Sequence, residues 1–577
     1  MRHYFEAELR LLNEFAQEFS EAYPEQAGML NLKEVKDRDP YVERLIEGMA
    51  FLTAQIRQQI DDDIPDICET FLNHVKPDFL RPYPSTTIVE FYPRVGQLQK
   101  NKILHKGQVL LSKPVGNDKV VCKFTSTSDV ELLPIKINDV VLEDVQSGGS
   151  LLKLIFKTDP GVSLSDLELS KLKIHIHDDP SISLWILEQI CSELISVKFN
   201  FKDHPDYKSP VFSNQDSVTP CNLGPEDTLK QTEENDFYGF NMIQDYFCFR
   251  DKYMFFNINK LNLLSPLPDC EEFTIEIKVK GLVPHDHSIS QGSFRLFCSP
   301  AINIFKSQSE PVTITNRRTS YPVFSDSNKY AAINIYNITN VTSLDIKSGE
   351  RSVLLPISKF KHKDVINRYF NIVKNTFRSV KTDTYIHISG NGEYKEEVLS
   401  CDIQATNGAY PRQYLQEHSL FTPSSDFPSY ASFYNITRPS NYLRIPDRKY
   451  YKWDLISNLS VNINSLKSVD NIKSLLTLYD WSNDKQNEKR IDGIKNVKIK
   501  SKEKISRGAL IRGLVINLGV QEDNYRSSSD IWLFGLILHN FFSMYTSINC
   551  FVETEIISFP TNKEYKWKPL IGLNTPI

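Results

Sequence analysis

Residues 4–23 read YFEAELRLLNEFAQEFSEAY, and residues 39–60 read DPYVERLIEGMAFLTAQIRQQI. In the first stretch Phe5, Leu9, Leu12, Ala16, Phe19 and Tyr23 recur at spacings of four, three, four, three and four. That is a heptad seam, one apolar line of a helix facing a partner helix. Tyr4, Leu11, Phe15 and Ala22 flank it and widen the face beyond what one neighbour covers. The second stretch opens with Asp39 as N-cap and Pro40 at the first helical position, where a missing N–H costs nothing. Its seam is Val42, Leu45, Met49, Leu52 and Ile56, with Ile46, Ala50 and Ile60 alongside. Two helices with this much apolar surface need further helices around them, from this chain or another. Phe5, Leu9, Leu12, Phe19, Val42, Leu45, Met49 and Leu52 are therefore the candidate partner-binding residues.

Asp61-Asp62-Asp63 is expected to close the second helix, and Pro65 to open a shorter one holding Ile67, Phe71, Leu72 and Val75. Pro77, Pro82 and Pro84 then stiffen a stretch that cannot be helical and lacks donors for a sheet. It is expected to act as a semi-rigid hinge between a helical arm and a body.

At 577 residues the chain exceeds one hydrophobic core. The expected class is α+β and multidomain, an N-terminal helical arm at 1–80 followed by β-rich mixed domains. Boundaries are expected at 86–300 and 301–450, with an α+β domain at 451–577. Apolar content of 40% and aromatic content of 11% exclude wholesale disorder. Basic and acidic residues nearly balance (67 against 72, net −5), which gives no reason to invoke nucleic acid. The nine cysteines are scattered, with no CxxC pair, so a disulfide scaffold or zinc module is not expected and a reducing compartment fits. No signal peptide is read at the start, and residues 531–545 are too short to span a bilayer. A cytoplasmic protein without membrane insertion is expected.

From Thr86 the pattern turns to period two, with strand-like runs at 109–111, 120–124, 130–137, 151–156 and 172–177. Gly148-Gly149 marks a break, Pro180 starts a helix, and residues 200–236 read as a turn-rich loop. Aromatics crowd residues 237–256 with only Arg250 and Lys252 between them, too few cations for a nucleic-acid stacking platform. Residues 330–405 read mostly as strands. Residues 531–545, capped by Asp530, are apolar nearly all round and read as a core helix.

His175 and His177 share a strand face and could reach one ion, but no third ligand stands at a suitable spacing. His285-Asp286-His287 follows Pro284 and reads as a loop tip. Gly390-Asn391-Gly392 reads as a turn, and phosphate loops, a nucleophile elbow and HExxH are missing. Glu233-Glu234 and Glu271-Glu272 read as solvated surface. Lys498, Lys500, Lys502 and Lys504 alternate at period two, as a phosphate stripe or as the guarded face of an exposed edge strand; the edge reading suits the near-neutral whole. No catalytic residue, metal ligand or cofactor is expected.

A family resemblance rests on particular pieces in a particular order. They are Tyr4-Phe5-Glu6-Ala7-Glu8-Leu9, Tyr23-Pro24, Asp39-Pro40-Tyr41-Val42-Glu43-Arg44-Leu45, Ala50-Phe51-Leu52, Ile64-Pro65 and Pro82-Tyr83-Pro84-Ser85. Gln244-Asp245-Tyr246-Phe247, the run Cys298-Ser299-Pro300-Ala301-Ile302-Asn303-Ile304-Phe305, Asn407-Gly408-Ala409-Tyr410-Pro411, and Leu533-Phe534-Gly535 continue it. Ala405 stands where the family usually has a cysteine. Together these pieces resemble the type VI secretion baseplate family TssF (ImpG/VasA). The resemblance implies a structural wedge subunit in which two copies clasp one TssG-like subunit through N-terminal helices. It further implies contact with TssE-like and TssK-like subunits, docking at the inner-membrane-associated complex, and a conformational rather than chemical mechanism. A wedge protein of a phage-like contractile device would share this architecture, and a hydrolase would need a cleft with convergent carboxylates.

Overall fold

The computed structural model describes residues 2–25, 39–146, 148–204, 207, 210–213, 215–230, 238–264, 266–282, 289–315, 318–325, 332–357, 368–375, 383–390, 396–448, 450–459, 466–506 and 509–572. Its longer helices are α1 (Arg2–Ala22), α2 (Pro40–Val75), α3 (Pro180–Ser192), α4 (Gly239–Cys248), α5 (Tyr451–Leu459), α6 (Val469–Tyr479), α7 (Lys485–Asp492) and α8 (Ser528–Tyr545). The chain divides into two compact units, Met1–Leu80 with Asp447–Ser460, and Arg81–Pro446 with Val461–Ile577.

The first unit is helical. α2 starts as its cap residues dictate: Asp39 accepts from the Tyr41 N–H at 2.9 Å, and Pro40 takes the first turn. It does not stop at Asp61-Asp62-Asp63. The helix runs through Pro65 to Val75 as one 36-residue element, which corrects the expected break. Proline removes one interior hydrogen bond, a cost of roughly 3 kcal/mol, and the tertiary contacts of α2 within its unit offset that local defect. α2 packs against α1, α5 and the 3₁₀ turn Pro77–Leu80. The α5 segment reaches this unit from more than 370 positions away, and an ion pair from Lys452 to Glu69 fastens it to α2.

The second unit is built on sheets. One is antiparallel and six-stranded, in the order Leu420–Pro423, Val109–Val115, Val120–Ser126, Cys298–Ile302, Thr86–Pro93, Ala431–Asn435. The strand Cys298–Ile302 runs through the boundary expected at 300, flanked by strands from 86–93 and 120–126. A four-stranded sheet orders Ile135–Asp144, Ser150–Thr158, Glu272–Val279 and Leu194–Phe201; every second residue of Ser150–Thr158 is buried, as its alternation requires. Another holds Leu172–Ile176 between Phe255–Ile258 and Phe294–Leu296. Eight strands between Phe305 and Thr406 form a sheet around Phe305, Ile338, Val341, Leu354, Phe370, Ile386, Leu399 and Ile403.

The C-terminal sheet runs Ile494–Ser506, Ala509–Gln521, Phe551–Phe559, Glu564–Lys566. Ala509–Gln521 and Phe551–Phe559 are parallel, so the chain needs a crossover, and α8 supplies it. α8 is buried from Ser529 to Phe542 save Asn540, packed on α3, α4 and Phe551–Phe559. That explains an apolar surface on all sides. Its N-cap is Ser527, not Asp530: the Ser527 Oγ accepts from the Asp530 N–H at 3.3 Å. Asp530 lies inside the first turn, where Arg490 reaches it at 2.9 Å and Arg250 pairs with it as well.

Candidate functional site: an uncovered apolar face on the helical arm

In the first unit, Ala50, Ala54 and Arg57 are spaced four and three and lie along one line of α2. Ala50 and Ala54 are fully buried. Arg57 donates to Glu8 of α1 at 2.5 Å, and Glu8 is nearly buried. Cys68 and Leu72 continue as buried residues toward the end of the helix. Among the described residues α2 therefore meets its own unit through Ala50, Ala54, Cys68 and Leu72 and through the ion pairs Arg57–Glu8 and Lys452–Glu69.

The large side chains of the heptad seam lie elsewhere. Leu45, Met49, Leu52 and Ile56 are 71%, 54%, 60% and 60% exposed. Phe51, Ile67 and Phe71 are exposed as well. On α1, Phe5, Leu9, Leu12 and Ala16 are half-buried, whereas Phe19, Tyr23, Leu11 and Phe15 are exposed. Val42 is half-buried. The eight expected partner-binding residues thus fall into two sets: Phe5, Leu9, Leu12 and Val42 partly covered within the chain, and Phe19, Leu45, Met49 and Leu52 open. Ile60 has its side chain outside the described residues.

Burying a large apolar side chain is worth about 1.5–3 kcal/mol. The exposed α2 seam of four residues alone carries on the order of 6–12 kcal/mol of unrealised burial before ordering costs. That is comparable to the roughly 5–15 kcal/mol margin of a whole fold. An apolar face of this size marks an interaction surface.

The three prolines of the expected hinge occupy different places. Pro77 opens the 3₁₀ turn of the first unit. Pro82 and Pro84 belong to the second, Pro82 half-buried and Pro84 buried. Between them Tyr83 is locked: its backbone pairs with Leu443, and its hydroxyl donates to Asp245 at 2.9 Å in a fully buried site. Asp245 also takes Lys252 at 2.6 Å, and neither side chain reaches solvent. The chain passes between the units at 80/81, 446/447 and near 460, so the connection is not a single strand of polypeptide.

The histidine pair finds a structural use. His175 is buried, its Nδ1 lies 3.0 Å from the Met254 carbonyl, and burial together with the neighbouring His177 pulls its pKa down to about 3. It is a neutral imidazole packed on Phe255. Among the described residues no group of three or more His, Cys, Asp or Glu is placed to hold a metal ion. His285-Asp286-His287, Glu233-Glu234 and Asn391-Gly392 lie outside the described residues. Glu272 pairs with Lys202 at 2.9 Å on a strand. The aromatics Phe240, Tyr246, Phe247, Phe249, Tyr253, Phe255 and Phe256 are core. No described helix is long and apolar enough to cross a membrane.

The family described as "Type VI secretion system, TssF" matches residues 1–574, almost the whole chain. The chain belongs to the TssF family. It is 24% identical over 616 positions to the type VI secretion system component TssF1 of Pseudomonas aeruginosa, covering 99% of this chain and 98% of that one. It is similar to a chain in a TssK-TssF-TssG baseplate subcomplex solved by cryo-electron microscopy, with a TM-score of 0.77, 25% identity and coverage of 92% and 99%. A chain of a type VI secretion baseplate complex shares the fold over the full length of both, with a TM-score of 0.63 and 24% identity.

The TssF-like elements noted in the sequence sit at structural joints. Asn303 and Asn407, both fully buried, clasp each other: Asn407 N donates to Asn303 Oδ1 at 2.7 Å, and Asn303 Nδ2 donates to Asn407 Oδ1 at 2.9 Å. The Asn407 carboxamide also accepts from the Lys123 N–H at 3.1 Å. Gly408 follows at φ +56, where a side chain would be strained and its Cβ would press on the Asn334 carboxamide at 2.7 Å, which favours glycine. In the sequence this Asn-Gly pair carries only the family resemblance; nothing in its local pattern announces a partner 104 residues away. Asn407→Ala orphans buried amide groups and is expected to destabilise the protein by about 1–3 kcal/mol, read as a lowered denaturation midpoint with an unchanged m-value.

Proposed function

We propose that this chain is a structural wedge subunit of the type VI secretion baseplate, scaffolding tail tube and sheath assembly and passing conformational change toward contraction. The observation that carries the reading is the exposed seam Leu45, Met49, Leu52 and Ile56 in a TssF-family chain. An apolar stripe at heptad spacing is matched by another helix, and the solved relative is found with TssG and TssK. In this reading the arm forms a helical bundle with a TssG-like subunit and a second copy of this chain. The wedge so formed meets a TssE-like subunit and TssK-like adaptors in the cytoplasm, at the inner-membrane-associated secretion complex.

Two identical chains around one different chain occupy non-equivalent places, so the arm must serve two settings. The segment from Pro77 to Pro82 is the proposed pivot, since Tyr83 and Pro84 are anchored in the second unit. Two copies compared within one assembled complex should differ in arm angle; identical angles in every copy and state would remove the hinge. The role needs no chemistry by this chain.

Affinity purification of the tagged chain from its native cell, with mass spectrometry of what accompanies it, tests the whole reading. Stoichiometric recovery of TssG-, TssK- and TssE-like subunits is expected. Recovery of phage-type tail proteins instead, or of no tail component, would contradict it.

A further inference from the structure

The edge strand Ile494–Ser506 has one strand neighbour, Ala509–Gln521, so its outer row of N–H and C=O groups faces no strand among the described residues. The register places Lys498 opposite Asn517, Lys500 opposite Val515, Lys502 opposite Gly513 and Lys504 opposite Ile511, all on one face. All four lysines are exposed. Lys502 pairs with Glu553 at 2.6 Å, while Lys498, Lys500 and Lys504 have no acidic partner among the described residues. The other face carries Val497, buried, Ile499, half-buried, then Ser501 and Glu503, exposed, with Glu503 paired to Arg512 at 3.3 Å, and at the tip Ile505 opposite Leu510, both exposed. The third strand joins only from the Gly513–Phe551 pair onward, so residues 503–506 and 509–512 run past it.

A regular edge of this length invites another strand, and lysines are one way to deter the wrong one. The wrong one here is a second copy. In antiparallel pairing, directly opposed residues share a face. Registers that keep the apolar faces together oppose lysine to lysine, and like charges directly opposite destabilise a pair. Registers that separate the lysines put Val497 and Ile499 on the basic side. Both self-pairings are penalised. A strand with carboxylates at every second position meets neither penalty and places an opposite charge against each free lysine. The basic stripe stands out on a chain whose net charge is −5.

We propose that the outer edge of Ile494–Ser506 is a docking site for an extended segment of another protein with carboxylates at alternate positions, added to the sheet as a further strand. This surface is independent of the apolar seam on the arm.

The test uses the full-length chain and a dye-labelled nine-residue peptide of alternating Glu and Thr, read by fluorescence anisotropy. Versions with Gln or Lys in place of Glu, and one with N-methylated backbone amides along one edge, are the comparisons. The Glu peptide is expected to bind at least tenfold more tightly than the Gln peptide, and N-methylation to abolish binding. A K498E/K500E/K504E variant should reverse the preference to the Lys peptide; it leaves the Lys502–Glu553 pair intact, and an unchanged circular dichroism spectrum shows it folded. Equal binding of the Glu and N-methylated peptides would overturn strand addition. Displacement of the Glu peptide by a single-stranded oligonucleotide, or by phosphatidylserine vesicles at lower charge concentration, would overturn the peptide-edge assignment. The K498T/K500T/K504T variant is expected to self-associate in sedimentation; a monodispersity equal to the parent's would overturn the exclusion argument.

Discussion

Leu45→Asp combined with Leu52→Asp is expected to abolish co-purification with the TssG-like subunit while leaving the fold of the isolated chain intact. Both side chains are well over half exposed, so neither change opens a cavity in this chain. Surface substitutions of that kind normally shift stability by no more than about 0.5 kcal/mol. In the proposed bundle the same positions would be interior. Two lost leucines remove about 3–6 kcal/mol, and two carboxylates without partners add a desolvation penalty. With about 1.4 kcal/mol per tenfold in affinity, a loss of at least a hundredfold follows. The isolated double variant should also be more soluble than the parent, because an exposed apolar face has been charged. Leu12→Asp is a less clean probe, since Leu12 is half-covered within the arm and its change also reports arm stability. Undiminished recovery of the partner by the Leu45/Leu52 variant would remove the bundle.

The second large effect lies in the second unit. Asp530 is fully buried, accepts from Arg490 and Arg250, and takes the Arg526 N–H at 3.2 Å. Burial alone would raise its pKa; the two guanidiniums outweigh it and hold the carboxyl below its ordinary value. Asp530→Ala leaves one nearly buried and one fully buried arginine without their anion, a change that typically costs about 3–5 kcal/mol. The denaturation midpoint should fall accordingly, and much of the expressed variant should be insoluble. Linkage gives the pH sign: a depressed folded pKa contributes stability that is present above the unfolded value, near 3.9 for Asp. That stability is lost as pH falls through the folded pKa, so this contribution disappears only in strong acid. A variant as stable as the parent would show that Arg490 and Arg250 find other partners.

What could be read from the residues divides by physical range. The caps of α2, the all-round apolarity of α8 and the period-two lysines are local patterns, and the first turn, the core helix and the edge strand follow from them. The run through Pro65 was not legible, because a local breaker was overridden by the tertiary contacts of a 36-residue helix. Nor was the return of Tyr451–Leu459 to the arm, which nothing in the intervening sequence encodes. The arm seam was half legible. Heptad spacing identifies Leu45, Met49 and Leu52 as helix-facing, but only coordinates show that Ala50 and Ala54 make the internal contact and leave those residues open. The Asn303–Asn407 and Asp530–Arg490 joints depend on tertiary proximity, where periodicity is silent.

The central claim is that the large apolar seam of α2 is covered by other subunits and not by its own chain. Oxidative footprinting of Met49, compared between the isolated chain and the chain bound to its TssG-like partner, measures that cover directly. Rapid sulfoxide formation at Met49 in the isolated chain and strong protection in the complex are the expected results. Equal labelling in the two states, or protection already complete in the chain alone, would contradict the account.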